Sequence, residues 1–287
     1  MPFDLTLVGK PSDTYKLAYT WRDVVLYALG VGAKRAELDY LYEGRGPKVL
    51  PSFAVVPTFQ PMLDLLAKTG GNLAMVVHGA QKCVVQKPFA PSGTLSTVAT
   101  IRGIYDLRRF ATSLVDTETR DAAADLVCTT TWSILFRGEG GFGGVVPPKE
   151  DEGIDLPKKV DGVMPASAFR IEEATSPEQA LLYRLSGDQN PLHADPEFAK
   201  SVGFEQGPIP HGLATYGHMV RHAAQGLTGG DATRIRGFGA QFRKPVWPGD
   251  TLVTEGWVLA PGKIALHVKV KERDEIVIAG AWATLRD

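Results

Sequence analysis

Gln86-Lys87-Pro88-Phe89-Ala90-Pro91-Ser92-Gly93-Thr94-Leu95 returns later in the chain as Arg243-Lys244-Pro245-Val246-Trp247-Pro248-Gly249-Asp250-Thr251-Leu252. Both copies hold a Lys-Pro pair, a second proline three places after the first, and a closing Thr-Leu. Lys87 and Lys244 are 157 positions apart, and Tyr27 and Tyr183 are 156 apart. An almost constant offset across a chain of 287 residues argues for a duplicated unit.

Working outward, the first copy opens on a helix: Thr20 as N-cap, Asp23 three places on, then Val24, Val25, Tyr27, Ala28 and Leu29 before Gly30. A long loop runs to Pro57, and a second helix starts near Pro61 and stops at Gly70-Gly71. Alternation then predicts strands over 73–78, 83–86, 94–105, 110–115 and 124–136. In the second copy Ser176 caps a helix whose first residue is Pro177 and which carries Leu181 to Leu185. A short helix opens at Asp195-Pro196-Glu197 and ends near Gly203. A longer one spans 212–225, with Leu213, Tyr216, Val220 and Ala223 on one face and Gly226 as its stop. Strands follow over 235–242, 251–259, 263–271 and 275–285. Trp247, Trp257 and Trp282 fall on this strand pattern and are expected in the core.

Between the copies, Gly138 to Gly144 and then Pro147-Pro148-Lys149-Glu150-Asp151-Glu152 show neither apolar period nor secondary-structure propensity. The expected division is an N-terminal unit over 1–138, a linker over 139–164 and a C-terminal unit over 165–287. Each unit reads as a long helix laid on an antiparallel sheet, an α+β class, because a single amphipathic helix can bury its stripe only against a sheet face.

Composition narrows the function. A hydrophobic content of 44%, a charged content of 22% and a formal net charge of −1 describe a globular protein with no electrostatic footprint for nucleic acid or an anionic membrane. No apolar run is long enough to span a bilayer, and Met1-Pro2-Phe3-Asp4 lacks a basic, apolar leader. Leu285-Arg286-Asp287 is not a Ser-Lys-Leu type address, so a cytoplasmic location is expected. Cys83 and Cys128 lie in apolar segments without metal-ligand spacing and are expected to be buried and reduced. No metal, nucleotide or redox cofactor is expected, since the glycine-rich linker lacks the strand-to-helix context of a phosphate loop.

The copies are not equal. Where the second has Gly187-Asp188-Gln189-Asn190-Pro191-Leu192-His193, the first has Gly30-Val31-Gly32-Ala33-Lys34-Arg35-Ala36. Gly187 and Pro191 break regular structure there, so a loop can aim Asp188, Asn190 and His193 into one small volume. Asp and His can polarise one water by acid–base chemistry, and Asn can donate a hydrogen bond without titrating. The same residues are also good turn formers, and a loop histidine is commonly only a polar surface group.

The whole stretch from Tyr183 to His193, with Ala199 six places further on, resembles the signature of the MaoC-like, or hydratase 2, (R)-specific enoyl-CoA hydratases, in the two-repeat form found in the peroxisomal multifunctional enzymes type 2. The resemblance covers nearly the whole chain. It implies a double hot-dog fold and reversible syn addition of water to trans-2-enoyl-CoA, giving (3R)-3-hydroxyacyl-CoA. It also implies a first unit that shapes a tunnel for medium, long or bulky acyl chains, the space being freed by loss of the polar loop.

In that reaction Asp188 and His193 grip the water, with base and acid left open, and Asn190 holds the pair or the water. The helix starting near Gly212 offers unpartnered amides to the thioester oxygen, with the Gly212 amide as donor. The adjacent His211 is expected to hold the catalytic loop. By resemblance, His78, Gly79, Arg108 and Arg109 serve the CoA moiety, and Phe242 packs near the pantetheine. Pro57-Thr58-Phe59 is aligned with Pro210-His211-Gly212. The expected partners are an acyl-CoA substrate and, through unpaired sheet edges, a second copy of the chain. The rivals are a dehydratase acting on acyl carrier protein, a thioesterase, and a non-catalytic acyl-CoA-binding protein.

Overall fold

Thr20 and Asp23 form the expected cap, the Asp23 carboxylate accepting from the Thr20 amide at 2.7 Å and hydroxyl at 2.8 Å. In this computed structural model, which describes residues 3–148 and 153–286, they open α1 (Trp21–Gly30) just after β1 (Tyr15–Tyr19). The first half continues through α2 (Leu38–Leu41), α3 (Val55–Ala67), β2 (Val76–Val85), β3 (Gly93–Asp106), β4 (Phe110–Arg120) and β5 (Leu126–Arg137). The second half holds β6 (Phe169–Ala174), α4 (Gln179–Tyr183), α5 (Pro196–Ser201), α6 (Gly212–Thr228), β7 (Ile235–Phe242), β8 (Thr251–Ala260), β9 (Lys263–Val270) and β10 (Glu275–Leu285).

The strands form one sheet in the order β1-β3-β4-β5-β2-β7-β10-β9-β8-β6, all neighbours antiparallel. This order reads the same from both ends once each strand is exchanged for its repeat counterpart. At the centre Lys82 pairs with Gly239, and these two residues are 157 apart, the offset of the two Lys-Pro pairs. Val55 and Gly212, which open the two long helices, are also 157 apart. The duplication therefore builds a pseudo-two-fold through β2 and β7, and each half wraps its sheet around one helix: α3 on β3, β4 and β5, and α6 on β6, β7, β8 and β10. This is the α+β double hot-dog arrangement. α6 is buried on every side from Leu213 to Ala224.

Several local expectations are corrected. α3 starts six residues before Pro61, which lies inside it; Thr58 keeps the first turn closed by donating its hydroxyl to Ala54 O at 3.0 Å and Val55 O at 3.2 Å. The expected strands over 73–78 and 83–86 are one strand, bulged between His78 and Ala80. Gly226 does not stop α6: a Cβ there would lie 2.3 Å from Cγ of Phe169, so glycine lets β6 approach the helix, and the left-handed stop is Gly229. Ser176 accepts the Glu178 amide at 3.1 Å, but the helix itself begins at Gln179, not Pro177. With α3 and α6 in register, the counterpart of Pro210-His211-Gly212 is Phe53-Ala54-Val55, not Pro57-Thr58-Phe59.

The start of the connecting segment is anchored. Asp106 accepts the amides of Gly141 at 2.8 Å, Arg108 at 2.7 Å and Gly143 at 2.9 Å, which hold its carboxyl below the usual carboxylate range. Phe142 packs on Phe3. Lys149 to Glu152, the charged end of the expected linker, lie outside the described residues, as do Met1, Pro2 and Asp287. Cys83 and Cys128 are buried and unbridged, and burial pushes the Cys83 thiol up to about 12. Among the described residues no helix is long and apolar enough to cross a membrane.

Candidate active site

α4 delivers the chain into a short 3-10 turn, Arg184–Ser186, and Gly187 then takes a positive φ of 134° that turns the backbone toward Asp188. Asn190 shapes the remainder of the loop. Its amide donates to Asp188 Oδ1 at 3.1 Å and its Oδ1 accepts from the Leu192 amide at 3.0 Å, opening a second turn, Pro191–His193. The Asn190 side-chain oxygen is thus engaged within the loop rather than aimed at a ligand.

Two carbonyls decide the state of the imidazoles. His193 Nδ1 lies 2.7 Å from Ile209 O, and His211 Nε2 lies 2.9 Å from Asp188 O. A carbonyl only accepts, so those nitrogens carry the hydrogens, and in the neutral rings His193 Nε2 and His211 Nδ1 keep lone pairs. Burial keeps the rings neutral: it lowers the His193 pKa against the opposing charge of Asp188, and, with His193 beside it, brings His211 to about 2. The rings stack with centroids 3.6 Å apart and planes at 28°. Donor atoms of Asp188, His193 and His211 all lie within 4.8 Å of one another, close enough in principle for a metal ion. The two rings are stacked on one another rather than splayed around a common centre.

Gly212 is the first residue of α6, and its amide and that of Leu213 have no acceptor among the described residues. A Cβ at Gly212 would stand 3.2 Å from Cδ1 of Phe242, so the glycine lets that ring pack closely against the start of α6. Phe242 in turn lies against His78, centroids 4.7 Å apart, and His78 stacks on Trp132. His78 donates through Nε2 to Ala80 O at 3.0 Å, and burial lowers its pKa to about 4. Gly79 occupies the bulge, where a Cβ would be 3.0 Å from Leu135. Gly212, Phe242 and His78 form one continuous wall between the halves. Arg108 and Arg109 are not part of it: they sit exposed in the turn between β3 and β4, with β5 between β4 and β2.

Two clefts adjoin the loop. One is lined by Val55, Val56 and Phe59 of α3 with Tyr183, Ser186, Asp188 and Leu213 of the second half, so the first half does reach the site, through a helix face that sequence reading did not single out. The register of α3 on α6 was the signal that could have found it. The other, of about 410 Å³, is lined by Leu181, His193, Gln206, Pro208 and Trp247 among others. Trp247 is therefore beside the site rather than in the core, and its indole N–H has no partner among the described residues. Trp257 is in the core as expected, donating to Pro165 O at 2.9 Å.

The corresponding place in the first half is filled, not free. Arg221 of α6, 1% exposed, donates through Nε to Val31 O at 3.1 Å and through Nη1 to Glu37 at 2.8 Å, and through Nη2 to Glu173. A Cβ on Gly217 would lie 2.3 Å from Val31 Cγ1, and one on Gly32 2.3 Å from His218 Nε2. Where the second half carries the polar loop, the first half thus holds a buried ion cluster.

Comparison with known proteins gives a consistent set of likenesses. A family model described as the MFE-2 hydratase 2 N-terminal domain matches residues 17–138, and one described as a MaoC like domain matches 165–281. The chain is 37% identical over 286 residues to the peroxisomal multifunctional enzyme type 2 of Mus musculus, aligning 97% of itself with only 38% of that protein. It is 35% identical to the peroxisomal enoyl-CoA hydratase 2 of Arabidopsis thaliana, over 96% of this chain and 93% of that one. The crystal structure of a MaoC-like dehydratase from Phytophthora capsici superposes with a TM-score of 0.87 at 30% identity, covering 100% of this chain and 98% of the other. The paired half-chain matches, the full-length likeness and the shared double hot-dog place this chain in the MaoC-like hydratase 2 family.

Proposed function

We propose that the chain is an (R)-specific 2-enoyl-CoA hydratase, adding water reversibly to trans-2-enoyl-CoA to give (3R)-3-hydroxyacyl-CoA. The observation that supports this most is the Asp188–His193 pair on one loop, with His193 held neutral and its Nε2 lone pair free because Nδ1 is engaged by Ile209 O.

A water between the two groups gives a proton to His193 Nε2 as its oxygen bonds to Cβ. The π pair moves toward Cα and the thioester oxygen. Asp188 holds the other water hydrogen and stabilises the imidazolium. The Gly212 and Leu213 amides donate to the oxygen that gains charge, a contribution on the order of 3 kcal/mol per well-placed donor. The imidazolium then returns the proton to Cα on the same face. One O–H and one π bond break, one C–O and one C–H bond form, and His193 ends neutral.

The acyl chain is directed at the cleft between α3 and the loop, lined by the apolar Val55, Val56, Phe59 and Leu213; at about 10 Å³ it must widen, by movement of α3 or the loop, to take a medium or longer chain. The first half supplies that wall and no reacting group, and no cofactor takes part. A cytoplasmic homodimer completes the reading, with the β1 and β6 edges each paired on one side only; light scattering of the purified protein tests the dimer. The activity is tested by the loss of enoyl absorbance with trans-2-enoyl thioesters of CoA and of acyl carrier protein, with product chirality read by an (R)-specific dehydrogenase. Turnover only on the carrier-protein ester would make it a dehydratase-type enzyme instead.

A further inference from the structure

Ser186 closes the 3-10 turn that leads into the catalytic loop, two residues before Asp188. Its hydroxyl is shielded from solvent and has no hydrogen-bond partner among the described residues. It lines the cleft between α3 and the loop, where the other side chains, Asp188 and Tyr183 apart, are those of Val55, Val56, Phe59 and Leu213. A buried hydroxyl left unpaired is unfavourable, and such groups mark places where water or a ligand completes the bond.

The chemistry of the site says which bond is missing. The Asp188 carboxylate and the His193 Nε2 lone pair are both acceptors, so a water held between them spends both of its hydrogens as a donor. Its oxygen then has two lone pairs and no donor. One lone pair attacks C3, and the other needs an O–H or N–H on the same side. The α6 amides are assigned to the thioester oxygen, and Ser186 is the side chain that both lines a cleft together with Asp188 and holds a buried hydroxyl without a partner among the described residues.

Resting on the hydratase reading above, we propose that the Ser186 hydroxyl binds the oxygen that is carried on C3, first as the attacking water and then as the (3R)-hydroxyl of the product. It orients the reacting lone pair and does not itself exchange a proton. The test compares Ser186→Ala with the unmodified chain in three measurements. Hydration of crotonyl-CoA should fall about tenfold, the loss lying in kcat because the missing partner binds water rather than the thioester. The inhibition constant of butyryl-CoA, which has no oxygen on C3, should stay within about twofold. The melting temperature should hold or rise, since the substitution removes an unpaired hydroxyl. An unchanged kcat, an equal loss of butyryl-CoA binding, or a fall in melting temperature would each overturn the assignment. Failure of the unmodified chain to hydrate both crotonyl-CoA and trans-2-decenoyl-CoA would instead overturn the hydratase reading, and the two failures are told apart by that control.

Discussion

Arg221→Met probes the ion cluster that fills the silent half. Methionine keeps most of the apolar stem and removes the guanidinium, so two carboxylates whose side chains are only 15% and 13% exposed, Glu37 and Glu173, lose their buried cation, Glu173 keeping only the half-exposed Lys34 at 3.5 Å, and Val31 O loses its donor. Removing one partner of a buried pair costs about 3–5 kcal/mol. For a chain of this size that corresponds to a fall in Tm of roughly 6–20 °C.

The pH dependence identifies the cause. Burial alone would raise the Glu173 pKa, but the His222 hydrogen bond and the Arg221 charge outweigh it and hold the carboxyl at about 2, below its ordinary 4.5. Its contribution is therefore fully present above pH 4.5 and is lost only as pH falls toward 2. Without Arg221 that depression is weakened, the His222 hydrogen bond alone remaining of the two, and the carboxylate takes up a proton at a higher pH than in the unmodified chain. The Tm deficit of Arg221→Met should thus be greatest at neutral pH and shrink toward pH 4.5. Adding Glu173→Gln should return about 1–3 kcal/mol at pH 7 by removing a largely buried charge that only the half-exposed Lys34 still faces. Thermal unfolding followed by circular dichroism measures all three. A deficit under about 2 °C, one that does not change with pH, or a double variant less stable than the single one would refute the reasoning.

Two further outcomes are expected at the site. Since burial places the His193 pKa below the ordinary 6.5 and the neutral ring is the active form, kcat/KM for hydration should be flat above pH 6.5 and fall with unit slope in acid; a rise in activity below pH 6 would contradict His193 as base. Val56→Phe narrows the cleft on the α3 side, so trans-2-decenoyl-CoA should lose about tenfold or more in kcat/KM relative to crotonyl-CoA, and an equal effect on both esters would show that the acyl chain lies elsewhere.

What could be read in advance was whatever is local or repeated. Lys87-Pro88 and Lys244-Pro245 revealed the duplication because both pairs end a strand at the same point of their unit, and the turn chemistry from Gly187 to His193 marked the loop. Local rules failed where tertiary contact prevails over them. Pro61 normally ends a helix, yet α3 continues through it, and Gly226 reads as a stop until Phe169 is seen against it. β1 and β6 alternate over only five and six residues, too few for the period to stand out. Arg221 carried no signal at all, because Glu37 and Glu173 are 184 and 48 positions away in sequence. The wall of α3 was missed because the repeats were aligned four residues out of register at that point.

The most direct measurement is turnover of crotonyl-CoA by the purified chain and by its His193→Ala variant, with the chirality of the product determined. Rapid loss of enoyl absorbance giving the (3R)-alcohol, reduced at least a thousandfold in the variant, on the order expected for removing a general base whose ring also shuttles the proton, is the predicted result. Equal rates in the two proteins, or a (3S) product, would contradict the assignment of water activation to Asp188 and His193.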